Sequence, residues 1–67
     1  SLNNVRSFIN SLPENLRTAF TLRESDGLSY EEISLITDTP IGTVRSRIFR
    51  ARESVLEFMS QESTNEK

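Results

Sequence analysis

Cysteine and histidine are both absent from these 67 residues. Their absence removes disulfides, Cys/His metal sites, and thiol or imidazole catalysis. A cysteine-free chain also fits a reducing cytoplasm. Glycine and proline are scarce, two of each, which favours long regular elements over a loop-rich fold. No apolar run approaches the length of a membrane span, and no basic-then-apolar start reads as a signal peptide. A chain this short buries only about 60% of its unfolded surface. It therefore forms one compact domain of modest stability.

The formal net charge is −2, which taken alone speaks against a nucleic-acid partner. Its distribution says otherwise. Residues 1–39 carry three Arg against six Asp/Glu, and residues 53–67 carry four Glu against one Lys. Between them, residues 40–52 hold Arg45, Arg47, Arg50 and Arg52 with no acid. A generic solvated surface would mix the signs.

No segment alternates apolar and polar residues as a strand would; the periodicity is helical throughout. Leu2, Val5, Phe8 and Ile9 predict a short first helix ending near Ser11. Pro13 suits the first turn of a second helix, with Glu14 near its positive end. That helix presents Leu16, Ala19, Phe20 and Leu22 and stops at Asp26-Gly27, where glycine supplies a left-handed cap. Ser29-Tyr30-Glu31-Glu32 reads as a capping box, and Leu28 with Ile33 as its hydrophobic staple. Ile33 and Ile36 are expected to face the core from this third helix. After Asp38, Thr39 is expected to cap a fourth helix whose first residue is Pro40. A short helix, a tight turn and a longer helix in succession make a helix-turn-helix over about residues 29–52. The expected fold is all-α, four helices without a wing. One domain spans residues 1–60, and a polar, aperiodic tail over 61–67 reads as disordered.

Along the fourth helix, Val44, Ile48, Ala51, Val55, Phe58 and Met59 share a stripe about 100° wide. With Leu16, Phe20, Ile33 and Ile36, the residues Val44, Ile48 and Val55 are expected to form a single core. Phe49 points about 130° away from the stripe at 100° per residue, beside Arg45, Ser46 and Arg50. A solubilising face would carry Glu or Lys there. An exposed aromatic among arginines suits a DNA major groove, where it touches thymine methyls while Arg reads guanine O6 and N7. Arg45, Ser46, Phe49 and Arg50 are therefore the candidate base readers. Gly42 lets backbone approach a phosphate and Thr43 adds a hydroxyl near the positive helix end. Arg23 and Tyr30 are either phosphate contacts or a surface ion and a half-buried core tyrosine. Arg47 and Arg52 border the core stripe, placed to pair with acids or to skirt the DNA backbone. Leu56 lies off the stripe and packs on the first helix or on a partner. Capping and early-helix placement account for Glu31-Glu32. No nucleophile–base set, second carboxylate pair or glycine-rich phosphate loop accompanies it, so no catalysis, metal or cofactor is expected.

The run from Leu12-Pro13-Glu14-Asn15-Leu16-Arg17 to Leu22-Arg23-Glu24, then Asp26-Gly27-Leu28-Ser29-Tyr30-Glu31-Glu32-Ile33, resembles region 4 of the extracytoplasmic-function (ECF) sigma factors of bacteria. Pro40-Ile41-Gly42-Thr43-Val44-Arg45-Ser46-Arg47-Ile48-Phe49-Arg50-Ala51-Arg52-Glu53 is similar to their recognition helix, in particular that of the sigma-E/AlgU-like group. The resemblance covers residues 12–53. It implies promoter recognition in transcription initiation, with the recognition helix in the major groove of the −35 element of double-stranded promoter DNA. It also implies binding to the β flap of RNA polymerase, masking by an anti-sigma factor, and a cytoplasmic, nucleoid-associated location. On this sequence it assigns base reading to Arg45, Ser46, Phe49 and Arg50. Backbone contacts fall to Arg23, Tyr30, Gly42, Thr43 and Arg47. The family's region 2 has no counterpart here, so the chain is expected to be one domain of a longer factor, monomeric in isolation. The helical pattern alone also suits the effector domain of a response-regulator activator, and the net negative charge a protein-interaction module without a DNA role.

Overall fold

The computed structural model describes the backbone of residues 2–65 and the side chains of residues 3–62. Four helices follow one another, α1 (Leu2–Asn10), α2 (Glu14–Glu24), α3 (Tyr30–Thr37) and α4 (Ile41–Asn65), with no strand among the described residues. The fourth is the spine: twenty-five residues rise about 37 Å in a molecule 43 Å long and 18 Å across. The other three helices all pack against it.

Each boundary has a local cause. At the end of α1 the Ser11 hydroxyl donates to the Phe8 carbonyl at 2.6 Å, and the Arg17 guanidinium donates to the Asn10 carbonyl at 2.9 Å. The Phe8 carbonyl also accepts Ser11 N–H, so side chains and the turn together satisfy carbonyls left open at the helix end. Pro13 precedes α2, and its carbonyl accepts the first helical bond from Arg17 N–H. Gly27 sits at φ +70°, and the reversal brings Leu28 N–H to the Leu22 carbonyl at 3.1 Å. The capping box of α3 is complete: Glu32 N–H donates to the Ser29 hydroxyl, and Ser29 N–H donates to the Glu32 carboxylate.

The turn between α3 and α4 departs from expectation. Asp38 takes the left-handed conformation at φ 52°, with no glycine to announce it. Thr39 N–H reaches the Ser34 carbonyl and Asp38 N–H reaches the Leu35 carbonyl, the pair of bonds that closes a Schellman motif. Thr39 does not cap α4. Its hydroxyl donates backwards to the Thr37 carbonyl at 2.9 Å, while the Ser34 hydroxyl donates to the Thr39 carbonyl. Pro40 instead offers its carbonyl to Thr43 and Val44. The turn is thus tied to α3 by its own hydroxyls, which fixes where α4 begins.

Two apolar clusters replace the single expected core. Ala19, Ile33, Val44 and Ile48 are buried together, with Leu22, Leu28 and Tyr30 around them. Leu12, Phe20, Ala51 and Val55 form the second, flanked by Val5, Phe8, Ile9 and Leu16. Ile36 belongs to neither and is 62% exposed. Helix α3 turns Ile33 inward with Tyr30, Ser34 and Thr37 beside it, and Ile36 lies about 110° from the centre of that set. Thr37 tolerates the inner side because its hydroxyl donates to the Ile33 carbonyl at 2.7 Å. Met59, expected on the core stripe, is also exposed, because α1 packs on the side of α4 that carries Phe58 and Glu62, and Met59 lies about 100° round from Phe58.

The helix also outlasts the expected tail. Residues 61–65 continue α4 to Asn65; residues 66 and 67 lie outside the described residues. Gln61 and Glu62 are good helix formers, no glycine or proline interrupts, and the Asn4 amide donates to the Glu62 carboxylate. Over residues 61–65 the expected aperiodic tail is helical.

Candidate nucleic-acid interface

Helix α4 separates its two faces cleanly over residues 44–51. Val44 and Ile48 are 1% exposed and Ala51 fully buried. Arg45, Ser46, Phe49 and Arg50 are all exposed, Phe49 at 63%. An aromatic ring left in water on a helix whose other side is shut off has no packing role inside this domain.

The candidate residues gather in two groups. Gly42, Thr43, Ser46, Arg47 and Arg50 line an open cleft of about 440 Å³, whose other wall is Asn15 and Leu16 of α2 with Pro40 at its head. A Cβ added at Gly42 would meet nothing within 4 Å. The domain's own packing therefore does not require glycine there. Arg47 is half-buried and held in place, its guanidinium reaching the Thr39 hydroxyl at 3.4 Å.

The second group surrounds Tyr30. The Arg23 guanidinium lies 4.8 Å from the tyrosine ring centre and donates to the Leu28 carbonyl at 2.9 Å. Arg45 lies over the same ring at 5.7 Å. These cation–π contacts hold two cations beside a half-buried phenol. The alternatives left open for Arg23 and Tyr30 are not exclusive. Both residues brace the junction of α2, α3 and α4 and still border the arginine-bearing face.

Arg52 stands apart. It pairs with Glu24 of α2 at 2.5 Å, and the hydrogen bond and charge of Glu24 raise its already high pKa. The pair ties the end of α2 to α4 and takes one of the four clustered cations out of play. Asn15 was not visible from the sequence as a neighbour of the arginine-bearing face. Its place follows from how α2 crosses α4, which periodicity within either helix does not reveal.

A family model described as Sigma-70, region 4 matches residues 2–55. The ECF RNA polymerase sigma-E factor of Escherichia coli is 74% identical over 47 residues, 70% of this chain and 25% of that protein. The protein of the same name in Salmonella typhi matches to the same extent. That of Haemophilus influenzae is 68% identical over 47 residues, again 70% of this chain and 25% of the relative. The chain thus spans about a quarter of the length of the curated relatives it matches.

Proposed function

The chain belongs to the sigma-70 region 4 family, and on that premise we propose that it recognises the −35 element of promoters as part of a sigma factor of the ECF, sigma-E-like kind. One observation carries the reading: Arg45, Ser46, Phe49 and Arg50 are exposed together on α4, while Val44 and Ile48 lock its opposite face into the fold. A helix held this way enters the major groove as a rigid unit, its outward side chains addressing base edges. Arg45 and Arg50 are five residues apart, about 7.5 Å of rise, so they address different base pairs of one site. Ser46 and Phe49 fill the space between.

Gly42, Thr43 and Arg47 on the cleft, with Arg23 and Tyr30 at the other end, contact the sugar-phosphate backbone. Such contacts fix register without carrying sequence information. The partners of this reading are the β flap of RNA polymerase and an anti-sigma factor, acting in the cytoplasm; the role is recognition without catalysis. Fluorescence anisotropy of the chain on promoter duplexes tests it. Binding that weakens linearly with log salt and prefers particular base pairs supports the reading. Binding of a polymerase flap peptide with no salt-dependent duplex binding would favour a protein-interaction module instead.

A further inference from the structure

The cleft beside the recognition helix has a wall that belongs to neither helix of the helix-turn-helix unit. Asn15, in the first turn of α2, lines it together with Thr43, Ser46, Arg47 and Arg50. It also borders a second hollow with Glu14, Thr18, Thr37 and, once more, Arg47. The Asn15 side-chain carbonyl accepts Leu16 N–H at 2.8 Å. That bond orients the amide and leaves its two N–H donors without a partner among the described residues. The remaining wall is cationic or hydroxylic apart from Leu16, Pro40 and Gly42. A tetrahedral oxyanion needs such a mixed set of donors, and the Thr43 hydroxyl and the guanidinium of Arg47 supply the others.

We propose that Asn15 is a further positioning residue for DNA: a backbone phosphate enters this cleft and is held between Asn15 on α2 and Thr43 and Arg47 on α4. This rests on the promoter-binding reading and extends it beyond the helix-turn-helix. The phosphate then bridges α2 to α4 at one end, as the Arg52–Glu24 pair bridges them at the other. Leu16, half-buried in the same wall, carries the Asn15 position into the second apolar cluster.

The test is a series at one position, measured by anisotropy on specific and scrambled duplexes at several salt concentrations. Asn15→Ala weakens both duplexes alike, by roughly 10- to 100-fold for one lost hydrogen bond to a charged acceptor. Asn15→Asp weakens them further. Asn15→Lys strengthens them and steepens the slope of log K against log salt by about 0.9, one more phosphate neutralised. Asn3, exposed on α1, serves as the control for general electrostatics, and Asn3→Lys leaves that slope unchanged. Wild-type duplex binding with unaltered Asn15→Ala and Asn15→Lys overturns the clamp and leaves promoter recognition standing. A loss confined to the specific duplex overturns it too, since Asn15 would then read bases. A wild-type chain without salt-dependent duplex binding overturns both.

Discussion

Where α3 meets the first half of α4, Ile33, Val44 and Ile48 are at most 1% exposed. Where α1 meets the second half, Phe8 and Phe58 stack at 4.5 Å with their planes 9° apart, yet both keep part of their surface in water. One helix thus carries two kinds of packing along its length. The closed packing lies directly behind the candidate base readers. Reading a base edge needs a helix backbone held to within a fraction of an ångström, and a close-packed interior holds it by refusing alternative packings. The half-open packing lies under Val5, Phe8 and Ile9, at the end away from the candidate base readers.

The comparison predicts unequal costs for similar truncations. Ile48→Ala leaves a cavity behind the recognition helix and should destabilise by roughly 2–5 kcal/mol, a large share of what so small a domain possesses. Urea unfolding followed by circular dichroism measures it, and duplex binding should fall with the fold. Phe8→Ala removes a larger side chain but a half-exposed one, so about 1–2.5 kcal/mol is expected, with duplex affinity nearly retained. If Phe8→Ala cost more than Ile48→Ala, the two ends would not differ as described.

Gly42→Ala sharpens the contrast between stability and recognition. The added Cβ meets open space, and alanine is the better helix former, so thermal unfolding should show a gain of up to about 1 kcal/mol. Duplex binding should weaken, because the methyl intrudes where a phosphate approaches. A variant both more stable and undiminished in binding would remove Gly42 from the interface. The smallest effect belongs to Arg52→Ala. Its ion pair with Glu24 is roughly half exposed, which limits its contribution to below about 1 kcal/mol, and added salt should erase most of that.

The helices and the exposure of the arginine-bearing face of α4 were legible in the sequence because their causes are local. Ser29 and Glu32 announce a capping box three residues apart, and Gly27 announces a reversal. Periodicity alone puts Ile48 on the core stripe and Phe49 well off it, as observed. What escaped depends on contacts between segments or on a backbone choice the residue type leaves open. Ile36 looked like core because it is large and three residues from Ile33. Which side of a two-turn helix is covered depends on where α2 and α4 lie. Asp38 adopts a left-handed angle that asparagine and aspartate tolerate but do not dictate. Thr39 had two uses for its hydroxyl, and the turn took the one that ties it to α3. Asn15 sits 28 residues before Thr43, so only the assembled fold brings it to the cleft.

The proposed division of labour is that Arg45, Ser46, Phe49 and Arg50 read bases while Gly42, Thr43 and Arg47 hold the backbone. A competition series of duplexes differing by single base pairs, run at two salt concentrations, tests it most directly. Arg50→Ala should cost about 1–3 kcal/mol on the preferred element and lose discrimination at one base pair. Thr43→Ala should weaken every duplex by the same factor. If Arg50→Ala lowered affinity uniformly across the series, with every base preference intact, Arg50 would be a backbone contact and the division of the face into readers and holders would be wrong.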